Sequence, residues 1–266
     1  MTPRVTAIIG SYESAATLGR AIDSLLAQTV SDLELIVIDD GSTDASAEIA
    51  RRAAERDPRV RPIALERNVG IARSLNAALR DARAPVVAVQ DADDHSAPER
   101  LERQLALLDA RPDVAVVGVR MAEVDESGRE LAPRTVLGEG DVTELLARHN
   151  PIPNTAAAFR RDAALAAGGY DPRYRYATEY DLWLRLAERH RAWCLPDVLA
   201  TRVMGSANVA ARAEAAQNRE AILIRARALR RRGTLRGAEG LVLPLLSLAT
   251  PPAFKRARRR RLGQAP

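Results

Sequence analysis

The chain carries a single cysteine, Cys194, among its 266 residues. It can therefore form no internal disulfide and build no thiolate metal site. Its histidines, His95, His149 and His190, lack the paired spacing that zinc requires. Aromatic residues make up only 3%, too few for a broad platform on which single-stranded nucleic acid could stack. Lysine is nearly missing: apart from Lys255 the basic residues are all arginine. No apolar stretch is long enough to span a bilayer. The first apolar run, Val5–Ile9, is too short for the core of a signal peptide, so a cytoplasmic protein is expected. Glycine-rich phosphate loops are absent as well. No G-x-G-x-x-G follows the first strand, which argues against a dinucleotide-binding dehydrogenase, and no G-x-x-x-x-G-K-[ST] is present, which argues against a P-loop NTPase.

What remains is a globular composition, 47% hydrophobic and 28% charged, sized for one large domain with appendages. The net charge of +5 fits anionic partners, whether nucleotides, phospholipids or nucleic acid. Short β-branched runs alternate with amphipathic stretches. Val5–Ile9 reads as a strand, followed by a helix to about Gln28. Leu33–Asp39 is a second strand, and Asp44 is placed to cap a helix over Ala45–Glu55. Val60–Leu65 is a third strand, followed by a helix through Leu75 and Leu79. Val86–Gln90 is a fourth, after which Ser96 and Pro98 suit the start of a helix bearing Leu101, Leu105 and Leu108. Val114–Val119 continues the series. Such alternation predicts right-handed βαβ units and a largely parallel sheet, with ligands beyond the carboxyl ends of its strands.

Those strand ends are where the polar residues gather. The turns are Gly10–Glu13, Asp39–Asp44 and Asp91–Asp94, the last with carboxylates at Asp91, Asp93 and Asp94. On its own, an acidic cluster reads equally as a turn that caps the next helix. Three polar strand ends in one sheet, however, predict a common cleft, and an all-oxygen donor set suits a hard divalent cation shared with phosphates.

Several segments together resemble a family-2 glycosyltransferase. They are Val5-Thr-Ala-Ile-Ile-Gly-Ser-Tyr-Glu, Ser24-Leu-Leu-Ala-Gln-Thr, Leu33-Glu-Leu-Ile-Val-Ile-Asp-Asp-Gly-Ser-Thr-Asp, Asp91-Ala-Asp-Asp and Glu179-Tyr-Asp-Leu-Trp-Leu-Arg-Leu. The resemblance implies a GT-A fold: α/β, a Rossmann-like, mostly parallel sheet with helices on both faces, here with a helical C-terminal extension. It also implies a nucleotide-diphosphate sugar donor, UDP-linked, a Mn²⁺ or Mg²⁺ cofactor, and transfer with inversion to a saccharide or lipid-linked acceptor in surface polysaccharide or glycoconjugate synthesis.

Carried over by position, Gly10, Tyr12, Glu13 and Asp40 would line the base and ribose pocket, and Arg73 would reach the base or diphosphate. Asp91 would meet the ribose or an ordered water. Asp93 would bind the metal, and Asp94 would support it or act as a helix-terminus acid. The segment Asn150–Tyr176 would face the acceptor, with Tyr174 and Tyr176 either flanking a sugar or packing the loop.

Two departures from the family pattern stand out. The family carries Glu-Asp-Tyr-Asp-Leu-Trp with its second residue as catalytic base. Here Thr178-Glu179-Tyr180-Asp181 puts Glu179 at that place, one methylene longer, with Asp181 as the alternative base. The family also often carries Tyr-Arg-x-His-x-x-Ser, whose His can ligate the metal. Here the segment is Thr201-Arg202-Val203-Met204-Gly205-Ser206, and a thioether is a poor ligand for such ions.

The expected division is a catalytic domain over 1–205, a helical extension over 206–240, and a short apolar segment with a basic tail over 241–266. Asp141–His149 reads as a short helix, Ala156–Arg161 as a strand, Glu179–Glu188 as a helix and Ala207–Arg232 as a long arginine-rich helix. The run Leu241–Ala249 with the block Lys255–Arg261 suits peripheral attachment at the inner face of a membrane, and equally a solvated tail. A catalytically silent sugar-nucleotide binder or scaffold is the alternative kept open by Glu179 and Met204. A nucleic-acid binder using the basic C-terminal region is a further rival, although no nucleic acid is expected as a partner.

Overall fold

The computed structural model describes residues 2–131, 138–204 and 207–233, with side chains in the last helix from residue 216 onward. The apolar segment and basic tail expected over 241–266, and the extension beyond residue 233, lie outside the described residues. Among the described residues, no helix is long and apolar enough to cross a membrane.

The first half alternates as its periodicity predicts. Strand β1 is Val5–Ser11, helix α1 Leu18–Leu26, β2 Leu33–Asp39, α2 Ser46–Arg56, β3 Val60–Ala64, α3 Ile71–Asp81 and β4 Val86–Asp91. The strands β3, β2, β1 and β4 lie side by side, all parallel. Their side chains alternate between two apolar layers. Val5, Ala7, Ile9, Leu35, Val37, Val86 and Ala88 pack with α1, α2 and the helix α4, Arg100–Ala110. Ile8, Ile36, Ile38, Val87 and Val89 face α3 on the other side. Both faces are covered, which is why these strands read as nearly continuous apolar runs.

Beyond the parallel half the sheet becomes mixed. A two-residue strand, β5 (His95–Ser96), follows the acidic turn. After α4 comes β6, Val114–Asp125, with short strands β7 (Glu130–Leu131) and β8 (Gly140–Asp141) beside the far part of the sheet. Strand β9, Ala157–Arg160, runs antiparallel between β4 and β6. Helices α5 (Arg161–Ala166) and α6 (Thr178–Leu186) lead to β10, Arg191–Met204, parallel to β6. The edge of the sheet is β5, antiparallel to β10 with Ser96 opposite Ala200 and His95 opposite Thr201.

Some local expectations are corrected. Ser96 caps no helix: it belongs to β5 and its hydroxyl donates to Gln90 Oε1, while α4 begins at Arg100. Asp44 sits one residue before the cap position of α2, yet its carboxylate still accepts the Ser46 N–H at 2.9 Å. The segment 141–149 holds β8 and a single 3₁₀ turn at Leu145–Ala147 rather than a full helix.

The second half packs around Trp183, which is fully buried and donates from Nε1 to the Ile152 carbonyl at 2.9 Å. Phe159 lies 5.3 Å from it, ring to ring. The long helix α7, Ala207–Arg232, docks on this cluster through Ile224, and Arg225 Nε donates to the Tyr180 hydroxyl at 2.8 Å.

Gly41 shows how closely the strand ends are built. Its φ is +71°, and a Cβ there would lie 2.4 Å from the Arg67 carbonyl carbon. Gly41→Ala should cost roughly 2–4 kcal/mol, the left-handed penalty plus a backbone clash. The check is a shift in urea midpoint at unchanged m-value.

Candidate active site

The register of the parallel strands brings the polar turns together. Ser11 pairs with Asp39, and Gly10 pairs with Asp91. Gly10 packs closely on α3: a Cβ there would come within 2.8 Å of Ile71 Cδ1, which would have to shift. Asp40 is buried, and its carboxylate accepts the N–H groups of Val69 and Gly70 at 2.8 and 2.9 Å. It therefore shapes the loop before α3, and its side chain also lines the cavity that results. Glu13 takes a left-handed φ of 50°, rare outside glycine. Its N–H donates to Ser42 Oγ, and its Oε1 accepts the N–H and hydroxyl of Thr43. Glu13 thus ties two strand-end turns together and is not part of the cavity wall.

That cavity, about 510 Å³, is walled by Gly10, Tyr12, Asp40, Arg73, Arg175 and Tyr176 among others. Tyr12 is 51% exposed and borders this cavity. Arg73 donates to the Val69 carbonyl at 3.2 Å and keeps further donors for a ligand.

A second cavity, about 350 Å³, shares Ile71, Arg175 and Tyr176 with the first. Its distinctive lining is Asp91, Asn150, Asn154, Glu179 and Arg202. Asn154 donates to Asp91 Oδ1 at 3.1 Å, and the Asp91 N–H is held by Thr155 Oγ1 at 3.1 Å. Burial raises the Asp91 pKa, with Asp93 adding to the shift and Arg202 opposing it. Asp93 is exposed, and its main-chain carbonyl accepts from Arg20 at 3.4 Å. Asp94 is 1% exposed, and neither of its carboxylate oxygens has a hydrogen-bond partner. Burial, and then the charge of Asp91, push its pKa up to about 8.

Arg202, which the family segment contains without a role of its own, stands beside the acids. Its Nε lies 3.8 Å from Asp94 Oδ2. Burial acts to lower the Arg202 pKa, but Asp94, Asp91, Glu123 and Asp93 outweigh it and raise the pKa. Pairing of β5 with β10 carries this side chain to the acids. On the other side, the fully buried Arg100 donates to the carbonyls of Val89 and Thr155, and burial lowers its pKa to about 10.

The two acids at the start of α6 part company. Glu179 lines the second cavity and accepts from Asn150 Nδ2 at 3.0 Å. Burial raises its pKa to about 7, helped by Asp91 and Glu220 and opposed by Arg202. Asp181 is 2% exposed and ion-paired with Arg185 at 2.7 Å, away from either cavity wall. Arg185 in turn donates to the carbonyls of Ala167 and Gly169.

The site's fit to a divalent cation can be judged from its donors. Asp94 leaves two buried oxygens without a hydrogen bond, one of them facing Arg202 at 3.8 Å, and Asp91 and Asp93 stand beside it. Among the described residues, no group of three or more His, Cys, Asp or Glu side chains could hold an ion alone. Met204 sits on β10 opposite Asp125 and supplies no hard donor. These residues fit a cation that is shared with a ligand's oxygens and water rather than caged by protein.

Sheet order, strand-end cavity and acidic turn define a glycosyltransferase of the GT-A fold. The chain belongs to glycosyl transferase family 2, whose model matches residues 6–168. It is 34% identical over 196 residues to the amylovoran biosynthesis glycosyltransferase AmsE of Erwinia amylovora, covering 73% of each chain. The mannosyltransferase PcManGT from Pyrobaculum calidifontis, solved in complex with GDP-Man and Mn²⁺, is similar with a TM-score of 0.73 at 25% identity. That match covers 100% of this chain and 77% of the other. The fold also matches S. aureus TarS 1-349 in complex with UDP-GlcNAc, with a TM-score of 0.64 at 18% identity over 83% of this chain and 66% of that one.

Because Arg202 offsets acids that cannot reach water freely, Arg202→Met should destabilise the protein by on the order of 2 kcal/mol. The loss should shrink when MnCl₂ is added. Urea midpoints with and without the salt measure both effects.

Proposed function

We propose that this protein transfers a sugar, with inversion, from a nucleotide-diphosphate donor to a saccharide or lipid-linked acceptor in the synthesis of a surface polysaccharide. The observation that carries this is the shared wall of two cavities. One is lined by an exposed tyrosine ring and Asp40, suited to a base and ribose; the other by Asp91 and Glu179, suited to the reacting sugar. A role in polysaccharide synthesis is supported by likeness to AmsE, named for amylovoran biosynthesis. UDP and GDP are both candidates for the donor's nucleotide, since the solved relatives hold one or the other.

Glu179 is the proposed general base. Its carboxylate takes the proton of the acceptor hydroxyl as that oxygen bonds to the anomeric carbon. The bond from this carbon to the donor's phosphate oxygen breaks, and the diphosphate departs with the electron pair. Attack from the face opposite the leaving group inverts the configuration. A carboxylate whose pKa is about 7 is a stronger base than an ordinary glutamate yet ionises near neutrality. Asn150 keeps it aimed into the cavity. Asp181 is left out of this role because its charge is spent on Arg185.

Mn²⁺ or Mg²⁺ would be held by Asp93 with Asp91 nearby, and when bound it supplies charge neutralisation for the departing diphosphate. Tyr12 would stack on the base and Arg73 would reach the base or first phosphate.

Turnover, substitution, pH dependence and metal dependence test the proposal. A panel of UDP-, GDP-, CDP- and dTDP-sugars, followed by nucleotide release with MnCl₂, should yield turnover with at least one donor; a silent binder would show affinity without release. Glu179→Gln should lower turnover by roughly 100-fold or more while donor Kd stays within about twofold. Asp181→Asn, which loses the ion pair with Arg185 but keeps an accepting oxygen, should lower turnover far less than Glu179→Gln. Because Glu179 acts only when ionised, wild-type rate should rise with pH up to about 7 before levelling. For the metal, Asp93→Ala should erase the Mn²⁺-dependent part of donor affinity, read by calorimetry with and without the ion.

A further inference from the structure

Three residues belong to the wall of both cavities: Ile71, Arg175 and Tyr176. Only Arg175 among them carries a charge. The segment bearing it is exposed, with Tyr176 39% accessible, and its backbone is fixed from a distant part of the chain. Glu220, on α7, accepts the N–H of Arg175 at 2.8 Å through one carboxylate oxygen. Through the other it accepts the N–H groups of Tyr176 and Ala177 at 2.8 and 3.0 Å. Three successive N–H groups converging on one carboxylate form an anion-holding concavity, and each bond is charge-assisted.

Helix α7 is itself well seated. Ile224 is buried, Arg225 donates to the Tyr180 hydroxyl, Arg227 to the Tyr174 hydroxyl, and Arg231 pairs with Glu188 at 2.6 Å. The ring of Tyr176 lies 5.6 Å from the Arg175 guanidinium carbon, close enough to restrain it. The loop's shape is thus imposed by a helix that lies beyond the region matched by the family model, which ends at residue 168.

A donor of the proposed class is a linear molecule: base, ribose, two phosphates, sugar. With base and ribose in the first cavity and the anomeric carbon beside Glu179 in the second, the diphosphate must cross the boundary. We infer that Arg175 is the cation that binds the diphosphate at this boundary, and that Glu220 is a positioning residue holding Arg175 there. Helix α7 is then part of donor recognition. A guanidinium offers paired N–H donors that match phosphate oxygens. Arg73, by contrast, lines only the first cavity. The inference rests on the glycosyl-transfer function proposed above.

The test compares nucleoside mono- and diphosphates on the full chain, by calorimetry with MnCl₂, using the UMP/UDP, GMP/GDP, CMP/CDP and dTMP/dTDP pairs. Wild type should prefer the diphosphate of at least one pair. For that pair, Arg175→Ala should weaken the diphosphate by roughly tenfold and the monophosphate by less than about twofold. Glu220→Ala should reproduce this selective loss, and Glu220→Gln should recover part of it, because its carbonyl oxygen still accepts. A helix that merely stabilised the fold would lower the melting temperature or weaken both ligands equally, leaving their ratio unchanged. An unchanged ratio in Arg175→Ala overturns the diphosphate role; an unchanged ratio in Glu220→Ala overturns the positioning role. Should Glu220→Ala not fold, Glu220→Gln carries the same comparison against wild type. A wild type that binds none of the eight nucleotides overturns the glycosyl-transfer function, and this inference with it. A wild type that binds but never prefers the diphosphate overturns this inference alone.

Discussion

Negative charge gathered at the carboxyl end of β4 is the constraint on which the site depends. Asp91 and Asp94 cannot both stay ionised in a dry environment without a nearby cation. The fold supplies two from opposite directions. Arg100 opens α4 and feels the charge of Asp94, and Arg202 comes from β10. For Arg202 to arrive, β10 must run along β6 past irregular register and pair with β5, the two residues that immediately follow the acids. The short edge strand is thus what locks the acidic turn against its counter-charge. The Asp94 oxygens accept no hydrogen bond and meet Arg202 only at 3.8 Å, so the compensation is partial. A site left with surplus negative charge and open hard donors is predisposed toward a cation that arrives with its own anionic ligand.

Much of the parallel half was legible in sequence. Apolar runs covered on both faces announce buried strands, and the turns that end them announce the cleft. What could not be read was which acids are free to act there. Asp40 reads as a ligand-facing acceptor; it lines the first cavity and also holds the Val69 and Gly70 N–H groups. Glu13 looked like part of the pocket, yet it clasps Thr43. Both serve the site by holding backbone, a duty that depends on partners some 30 residues away and leaves no periodic trace. Arg202 stands in a family segment, but its partner Asp94 lies over 100 residues earlier and leaves no local trace. Ser96 misled because a serine before a proline has the look of a helix cap, and only tertiary pairing with Ala200 decides otherwise.

The second half carries less pattern and more irregular backbone. Asn150, Asn154 and Arg175 come from loops whose composition predicts little beyond irregular backbone. Their positions are set by long-range hydrogen bonds: Asn150 to Glu179, Asn154 to Asp91, and the Arg175 segment to Glu220. Loops held at points by polar contacts can change between related proteins without disturbing the sheet. On the proposed function, the parallel half would fix where a nucleotide lies, and the loops, with the helix that braces them, would select what it carries.

The opening turn of α6 shows how one element serves both requirements. Glu179 and Asp181 are two residues apart, and two steps of a helix rotate a side chain by about 200°. They must therefore face opposite ways, a distinction that the sequence contained although the motif alone did not draw it. Asp181 turns inward, where its bond to Arg185 is extended by that residue's bonds to the Ala167 and Gly169 carbonyls. This chain anchors α6 to the turn after α5 and so fixes the helix about its own axis. Glu179 is then held toward the cavity, where Asn150 meets it. The extra methylene relative to the aspartate of the family pattern carries the carboxylate further from a helix that cannot roll, so its reach is set by the anchor on the opposite face.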